Sequence, residues 1–289
     1  MRTCPAPPPY ETYSSLIDLA LAEDIGTGDV TSARVIPPHA QTRARIEARE
    51  DLSVAGLFLV QDVVRAVDPE IRTTLHAREG ERVSAGQVLV RLEGSVRGIL
   101  AAERTALNFL GRMCGVASLT RCYVDTVAHT SCQIVDTRKT LPGWRALDKF
   151  AVVCGGGTNH RFALYDGILL KDNHIATAGG IDAALRAAFA GADDTLRVQV
   201  EVESLEDAEK ACAAGADFLL LDNQSPQEVK SIVQHLGDRA LLEASGGITL
   251  ANLEQYAETG VHRISLGVLT HSAAAADVAL EIDSPEPGG

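Results

Sequence analysis

After residue 131 the chain alternates short apolar segments with helical patterns, and this alternation restricts its possible folds more than any other feature. Six β-rich segments lie near residues 133–135, 167–170, 197–202, 217–221, 240–243 and 262–266. The clearest intervening helix begins at Ser204, whose hydroxyl suits a helix cap, with Glu206 and Asp207 in the first turn. Near-continuous apolar strands separated by helices are typical of a parallel sheet. Six such units within roughly 150 residues predict an α/β barrel or part of one.

The preceding residues are organised differently and predict a separate α/β domain. The Pro-rich residues 1–10 are expected to be extended or disordered, and a helical pattern then runs from Glu11 to Gly26. Two β-rich segments and a helix follow, over residues 43–50, 52–56 and 57–67. Residues 71–92 alternate and turn at Gly80 and Gly86, as in a small antiparallel sheet. A long helical pattern covers 98–127, with a predicted break near Gly115.

Within that small sheet, the sequence EGERVSAGQVLVRLEG is similar to the hairpin of biotinyl and lipoyl carrier domains. Carriers present a lysine at a tight turn for covalent attachment of the cofactor. Residues 70–100 contain no lysine. A β-hairpin of an ordinary α/β domain is therefore favoured, and a non-enzymatic carrier is a remote alternative.

Composition restricts the classes of partner. The chain has 289 residues, 46% hydrophobic and 22% charged, as in a globular protein of one large or two ordinary domains. Its net charge of -13 and pI near 5.0 argue against nucleic acid, because phosphate backbones bind basic surfaces. No apolar run of about eighteen residues and no signal-peptide pattern occur, so we expect a cytoplasmic protein without a membrane span. The scattered cysteines lack metal-ligand spacing and suit buried, reduced thiols, and Cys154 is interpreted as a packing residue rather than a nucleophile.

A local reversal of charge occurs between residues 136 and 174. This stretch contains six lysine and arginine residues against four aspartates, within an acidic chain. The cations are Arg138, Lys139, Arg145, Lys149, Arg161 and Lys171. Guanidinium groups bind carboxylates and phosphates through paired hydrogen bonds, and ammonium groups act as point charges. The stretch therefore predicts a site for an anionic ligand.

Polar and small residues follow the predicted strands at their carboxyl ends, where α/β barrels build active sites. They are Asp136, Thr137, Arg138 and Lys139, then Lys171 and Asp172, Glu201, Asp222 and Asn223, residues 245–247, and Gly267. Glu201 and Asp222 are candidates for binding ribose hydroxyls or Mg²⁺, which prefers hard oxygen ligands. The loops EASGGI and SLGVLTHS have the small residues of a phosphate cradle.

Several side chains have two interpretations from the residues alone. His160 follows glycines that allow close approach to a ligand, so binding or proton handling competes evenly with a structural hydrogen-bonding role. Asn173 and His174 are candidates to order Lys171. Arg104 lies beside Glu103 in a helical pattern, which is typical of a solvated surface pair. The aromatic residues Trp144 and Phe150 are interpreted as packing groups.

Six sequence blocks, in this order, resemble the quinolinate phosphoribosyltransferase family: DTRKTLPGWRALDKFAVVCGGGTNHR, LLKDNHI, VEVESLEDA, LLLDN, LEASGGI and GVLTHS. The resemblance covers residues 10–282, and the departures, such as Trp144 for a common Leu and Phe150 for a common Tyr, remove no charged site residue. It implies an α/β subunit of the type II phosphoribosyltransferase kind. An N-terminal α/β sandwich domain over 10–116, joined by the C-terminal tail 271–289, would precede an incomplete, open α/β barrel over 117–270.

The resemblance also implies a reaction and a set of site residues. Quinolinate and phosphoribosyl pyrophosphate would give nicotinate mononucleotide, pyrophosphate and CO₂ in NAD biosynthesis, with Mg²⁺ as cofactor. The implied catalytic residues are Lys139, Lys171, Glu201 and Asp222, of which Glu201 and Asp222 would also face the metal. The implied substrate-binding residues are these four together with Arg104, Thr137, Arg138, His160, Arg161, Ser245, Gly246, Gly247, Ser265, Leu266 and Gly267. Arg104 would reach the neighbouring subunit's site, which implies a homodimer and leaves a higher oligomer open.

Two enzymatic alternatives remain at this point. A molybdenum-linked relative of the same family would use a different acceptor, although the TLPG sequence and the full set of cations favour quinolinate. A phosphate-binding barrel lyase or isomerase would also place a lysine such as Lys171 at a strand end, and borohydride trapping of a carbonyl substrate would reveal it.

Overall fold

Helices and strands alternate along the described part of the chain, which in this computed structural model comprises residues 5–191, 196–216 and 218–283. The α-helices are α1 (Ser14–Ile25), α2 (Ser32–Val35), α3 (Leu57–Val67), α4 (Val96–Thr126), α5 (Arg145–Cys154), α6 (Asp172–Ala178), α7 (Ile181–Gly191), α8 (Leu205–Ala213), α9 (Pro226–Leu236), α10 (Leu253–Ala257) and α11 (Val268–His271). The strands are β1 (Gln41–Ala48), β2 (Leu52–Ser53), β3 (Arg72–Leu75), β4 (Arg82–Val83), β5 (Val88–Ser95), β6 (Gln133–Val135), β7 (Ile168–Leu170), β8 (Val198–Val202), β9 (Phe218–Asp222), β10 (Leu241–Ser245), β11 (Arg263–Ser265) and β12 (Val278–Ile282). Short 3₁₀ turns occur at Tyr10–Thr12 and Gly237–Arg239.

The chain divides into two units. The first contains the described residues up to Arg121, Thr140–Gly156, and the described residues from Leu269 onward. The second contains Cys122–Lys139 and the described residues of Gly157–Val268. Within the described ranges, no helix combines the length and the apolarity that a membrane crossing requires.

The first unit is built on the antiparallel sheet that the alternation of residues 71–92 predicts. Its strand order is β12-β1-β5-β3, and β2 pairs with β4 in a second, two-stranded sheet. Buried Ile46 in the centre of β1 lies opposite Val90 of β5 and Leu280 of β12, so C-terminal residues complete this sheet. The helix α3 packs its apolar face inward, and the Glu79 carboxylate accepts hydrogen bonds of 2.8 Å from the N–H groups of Gly56 and Leu57 at its start.

The predicted break near Gly115 is wrong, because α4 runs without interruption for 31 residues. A glycine inside a helix weakens it locally, which is why the sequence suggested a break. Here the missing side chain serves close packing instead: a Cβ at Gly115 would lie 1.9 Å from the carbonyl oxygen of Ala274. One turn earlier, the Gly111 carbonyl accepts a hydrogen bond of 2.9 Å from the Ala276 N–H. The glycines therefore let the chain before β12 lie directly on α4.

A buried ion pair joins α4 and α5 inside the first unit. Arg112 donates to Asp148 across 3.0 Å and also to the carbonyl groups of Thr270 and Ala273. Asp148 is fully buried, and burial raises the pKa of its carboxyl above the ordinary value although Arg112 opposes the shift.

Aromatic rings fill the space around the same two helices. Trp144 stacks on Phe109 at 5.0 Å between ring centroids, and Phe150 meets Phe58 edge-on at 5.2 Å. These contacts confirm the packing roles of Trp144 and Phe150. Cys154 is likewise buried, as expected for a packing residue, whereas Cys122 is exposed near the end of α4 and contradicts the expectation of buried thiols.

The second unit contains the predicted parallel sheet, an open α/β barrel of six strands in the order β6-β11-β10-β9-β8-β7. All six predicted strands are present, although the predicted start of β9 at Asp217 lies outside the described residues. Helices separate successive strands, and α8 begins where expected, since the Ser204 hydroxyl accepts a hydrogen bond of 3.1 Å from the Asp207 N–H. Thr158, which follows three consecutive glycines, forms an isolated parallel bridge with Val135 and so lies beside β6.

Candidate active site

The parallel registers bring the predicted polar residues of the second unit to one edge of its sheet. Asp222 ends β9 and is directly opposite Ser245, the last residue of β10. Ser265 ends β11 opposite Val135 at the end of β6. Glu201 is the penultimate residue of β8, and Lys171 directly follows β7. Carboxyl ends of parallel strands form the usual rim of an α/β active site, so this edge is the candidate site.

Lys171 and Glu201 form an ion pair at this rim. The Lys171 ammonium nitrogen lies 2.8 Å from Oε2 of Glu201, and the two side chains are 50% and 11% exposed. The backbone N–H of Lys171 donates to Nδ1 of His174 across 3.1 Å. His174 therefore fixes the backbone of Lys171, as expected of an ordering residue. The ammonium itself remains on the accessible side, where a ligand can meet it.

Asp222 shares the electrostatic environment of that pair. Burial raises the pKa of the Asp222 carboxyl above its ordinary value, the charges of Glu201 and Glu203 add to the rise, and Lys171 and Lys139 oppose it. The side-chain amide of Asn223 donates to Asp222 Oδ2 across 2.6 Å. Asn223 is the only residue other than glycine with a positive φ (54°) in the described part of the chain. This left-handed conformation turns the chain sharply at the strand end and keeps the amide beside the carboxylate.

The donor set of Glu201 and Asp222 fits Mg²⁺. Mg²⁺ is commonly held by one or two carboxylates together with waters and substrate phosphates. The described residues contain no group of three or more histidine, cysteine, aspartate or glutamate side chains arranged for a metal ion. The two carboxylates are oxygen ligands of the kind that Mg²⁺ prefers.

The two small-residue loops follow β10 and β11, which are neighbouring strands of the same sheet. A Cβ at Gly246 would lie 2.1 Å from Oδ1 of Asn223, so the loop after β10 approaches the Asn223 side chain more closely than another residue would allow. Gly247 also has a positive φ of 63°, and a Cβ there would meet nothing within 4 Å, so open space lies beside this backbone. In the second loop, the Leu266 N–H donates to the Val135 carbonyl across 2.9 Å and is occupied within the sheet.

Three cations of this unit, Arg138, Lys139 and Arg161, lie in the segments that follow β6 and precede β7. Arg138 is half-buried and Lys139 is exposed after β6, and the Lys139 N–H donates to the Thr137 hydroxyl across 3.0 Å. Arg161 donates to the Gly167 carbonyl across 2.8 Å. Burial lowers the pKa of the Arg161 guanidinium, and the positive charge of Arg138 lowers it further. Two guanidinium groups close enough to repel each other suit an anion with more than one negative charge.

His160 is fixed inside the barrel by both of its ring nitrogens. Nε2 lies 2.9 Å from Oε1 of Gln199, and Nδ1 accepts a hydrogen bond of 2.8 Å from the N–H of Arg161. The backbone N–H of His160 donates to Asp136 across 2.8 Å. Of the two interpretations that the residues left open, this geometry supports the structural hydrogen-bonding role.

The sequence did not predict a role for two buried polar residues of this network, Gln199 and Glu243. Asp136 is fully buried and supports His160, although its position after a strand suggested a rim ligand. Gln199 and Glu243 lie inside the barrel on β8 and β10. A polar residue within an otherwise apolar strand was the available signal, since Gln199 stands between two valines and Glu243 between Leu242 and Ala244.

Arg104 belongs to the first unit, where it is exposed on α4. The other predicted site residues belong to the second unit.

Two protein-family models match the chain in succession. The model of the quinolinate phosphoribosyl transferase N-terminal domain matches residues 29–114, and that of the C-terminal domain matches residues 116–281. This chain belongs to the quinolinate phosphoribosyltransferase family. Family membership confirms the resemblance drawn from the six sequence blocks.

Similarity to individual members of the quinolinate phosphoribosyltransferase family extends over nearly the whole chain. The chain is 41% identical to the nicotinate-nucleotide pyrophosphorylase [carboxylating] of Mycobacterium leprae, covering 94% of this chain and 98% of that relative. It is 39% identical to the probable enzyme of the same name from Bacillus subtilis, covering 92% of each. The solved structure of NadC from Streptococcus pyogenes superimposes with a TM-score of 0.93 at 35% identity, covering 98% of this chain and 100% of that one. The predicted fold, an N-terminal α/β domain with an open α/β barrel, is confirmed.

Proposed function

We propose that this chain transfers the phosphoribosyl group of phosphoribosyl pyrophosphate to quinolinate and releases CO₂, giving nicotinate mononucleotide and pyrophosphate in de novo NAD biosynthesis. The observation that carries the proposal is the rim of the barrel, where the Lys171–Glu201 pair, 2.8 Å apart, stands beside Asp222. Carboxylates and a lysine side by side suit a substrate that carries both a ribose and phosphates.

The cationic residues of the site bind quinolinate. Quinolinate carries two carboxylates. The positive charges of Arg138 and Arg161 repel each other, and a ligand with two negative charges relieves that repulsion by neutralising both. Thr137, Lys139 and Lys171 complete the polar surroundings of the ligand. His160 supports Arg161 from inside the barrel through the 2.8 Å hydrogen bond to its N–H. The site therefore binds the C2 carboxylate, the group that distinguishes quinolinate from nicotinate.

Glu201 and Asp222 act on the ribose. As the pyridine nitrogen attacks C1 and pyrophosphate departs, the ribose develops oxocarbenium character, and two carboxylates fixed at the strand ends stabilise that positive charge. Lys139 and Lys171 stabilise the negative charge that develops on the leaving pyrophosphate. Mg²⁺ held by Glu201 and Asp222 would supply further positive charge to the pyrophosphate when bound.

The 5′-phosphate of the ribose fits the two small-residue loops. In the loop after β10, the backbone of Gly246 and Gly247 has positive φ values, and open space adjoins Gly247. Glycine backbone and the hydroxyls of Ser245 and Ser265 provide a phosphate cradle, with Gly267 in the second loop. Leu266 contributes by packing, because its N–H is already used by Val135.

Decarboxylation needs no additional organic cofactor. Once the ring nitrogen is bonded to C1 of the ribose it is quaternary, and the positively charged ring accepts the electron pair released when the C2 carboxylate leaves as CO₂. A proton from solvent or a site residue then occupies C2. No covalent lysine intermediate is required, which separates this chemistry from that of a barrel lyase.

Arg104 completes the site from a second copy of the chain in this proposal. Its exposure on α4 leaves the guanidinium available to a partner subunit. A homodimer would then be needed for activity, because each barrel would lack one quinolinate ligand without its partner.

The identity of the pyridine acceptor is the experimental test of the proposed function. We expect the chain, incubated with phosphoribosyl pyrophosphate and Mg²⁺, to form nicotinate mononucleotide from quinolinate and none from nicotinate, as measured by mass spectrometry. Nucleotide formation from nicotinate would contradict the proposed acceptor. Absence of any nucleotide product from quinolinate would direct attention to another acceptor, as in the molybdenum-linked relative.

A further inference from the structure

Glu243 is a buried carboxylate that the proposed reaction does not use. It lies in the middle of β10 at 0% exposure, and neither of its carboxylate oxygens accepts a hydrogen bond from any residue in the described ranges. A buried polar group without hydrogen bonds lowers the stability of a fold, and a charged one lowers it more. A residue of this kind in a barrel strand therefore calls for a functional explanation.

The Glu243 carboxylate faces the ring of His160. Its Oε1 lies 3.4 Å from Nε2 of His160, and the same nitrogen lies 2.9 Å from Oε1 of Gln199. Gln199 is also buried, at 3% exposure. Two oxygen atoms thus meet Nε2 from two different strands, β8 and β10.

The other side of the ring determines where its proton resides. Nδ1 lies 2.8 Å from the backbone nitrogen of Arg161, and a backbone N–H can only donate. Nδ1 must therefore be the unprotonated acceptor, and the ring proton must sit on Nε2. An N–H at Nε2 donates to Oε1 of Gln199, and the Glu243 carboxylate lies 3.4 Å from the same nitrogen without accepting a hydrogen bond. A carboxylate at Glu243 favours this tautomer, because it attracts a proton on Nε2, 3.4 Å away, more strongly than one on the more distant Nδ1.

We propose that Glu243 is a positioning residue that holds His160 in the Nε2–H tautomer and thereby fixes Arg161 for the quinolinate carboxylate. The inference rests on the proposed function, in which Arg161 binds quinolinate. With the tautomer fixed, Nδ1 accepts the Arg161 N–H, while Asp136 holds the His160 N–H across 2.8 Å. The backbone that carries Arg161 is then tied at two successive peptide groups. In the Nδ1–H tautomer, two N–H groups would oppose each other at Arg161.

Substitution of Glu243 separates this role from a merely structural one. Glu243→Gln offers His160 either an acceptor or a donor, and Glu243→Met removes the polar group at similar size. Both remove a buried carboxylate without hydrogen bonds, so we expect Tm to stay level or rise. We expect the KM for quinolinate to increase by about tenfold, while the KM for phosphoribosyl pyrophosphate changes by less than about twofold.

Glu79→Gln is the matched control, because Glu79 is a carboxylate of the first unit that accepts two backbone hydrogen bonds of 2.8 Å. Its substitution should lower Tm and leave the KM for quinolinate unchanged.

The tautomer itself is measured by NMR of protein labelled with ¹⁵N-histidine, with His160→Gln used to assign the His160 signals. We expect the Nε2–H signature in the parent and a growing Nδ1–H population in Glu243→Met. A fall in Tm with an unchanged KM for quinolinate, or an unchanged tautomer in Glu243→Met, would overturn the proposal. If the parent itself fails to convert quinolinate, the proposed function fails, whereas the tautomer measurement still decides whether Glu243 controls His160.

Discussion

The ammonium of Lys171 lies 2.8 Å from the carboxylate of Glu201, at the carboxyl ends of the neighbouring strands β7 and β8. Lys171 is half-exposed, so solvent screens the attraction and the pair adds little to the stability of the fold. Its value lies in the arrangement of charge, because the cation and the carboxylate are fixed before substrates arrive. Such prior arrangement reduces the reorganisation that the reaction requires.

Lys171→Ala should therefore damage catalysis far more than folding. We expect kcat/KM to fall by roughly 10²–10³-fold, as when a fixed electrostatic group is removed from other active sites. The free energy of unfolding should change by less than about 1 kcal/mol, since exposed ion pairs contribute little. Steady-state kinetics and urea denaturation measure the two quantities. Lys230→Ala, an exposed lysine on α9, is the control and should match the parent in both. A folded Lys171→Ala protein with parental kcat/KM would refute the role.

Arg104 is predicted to act on the partner's site, and mixed dimers test this. Arg104→Ala and Lys171→Ala should each be nearly inactive alone. After subunit exchange, half of the dimers are mixed and each holds one intact site, so activity should return to roughly a quarter of the parental value. Arg138→Ala mixed with Lys171→Ala should recover nothing, because both residues belong to the same unit and serve the same site. If Arg104 served its own subunit, the first mixture would remain inactive as well.

The pH dependence of the reaction should depend on Glu203, which is exposed beside the site. Burial is the largest cause of the raised Asp222 pKa. The negative charge of Glu201 is the next, and that of Glu203 also raises the pKa. Asp222 acts as a carboxylate, so a raised pKa means that activity is lost on acidification at a higher pH than for an ordinary aspartate. Glu203→Gln removes one raising charge, and the acid limb of kcat/KM for phosphoribosyl pyrophosphate should move to lower pH. The shift should be small, because Glu203 is screened by solvent.

The control for this prediction is Glu206→Gln, because Glu206 pairs with Lys210 on α8 and is not among the charges that shift the Asp222 pKa. Its profile should superimpose on the parental one. An acid limb that moved upward in Glu203→Gln would contradict the assignment of that limb to Asp222.

Gly115→Ala tests the packing of the C-terminal residues on α4. Helix propensity alone favours alanine over glycine by about 1 kcal/mol, so without a close contact the substitution would stabilise the protein. The new Cβ would lie 1.9 Å from the Ala274 carbonyl oxygen, and forced repacking of this kind destabilises by about 1–3 kcal/mol. We expect a lower midpoint in urea denaturation. A raised midpoint would show that the contact is looser than the structure indicates.

The sequence predicted the barrel well because its signals are local. Apolar strands such as Phe218–Asp222 are too short and too continuous for amphipathic helices, and Glu201, Asp222 and Lys171 stand at strand ends. The error at Gly115 arose because a glycine in a helix is interpreted by propensity, whereas here a contact with Ala274, distant in sequence, determines it. The network of His160, Gln199 and Glu243 was missed for a related reason. Which residues of a strand face the barrel interior depends on strand stagger, which no local pattern specifies.

In the proposed reaction, one site couples phosphoribosyl transfer to loss of the C2 carboxylate. The most direct measurement is the release of pyrophosphate and of labelled CO₂ from C2-carboxyl-labelled quinolinate, with phosphoribosyl pyrophosphate and Mg²⁺. We predict equal amounts of both products, and none of either when quinolinate is replaced by nicotinate. Pyrophosphate release without CO₂, or no release from quinolinate, would contradict the account.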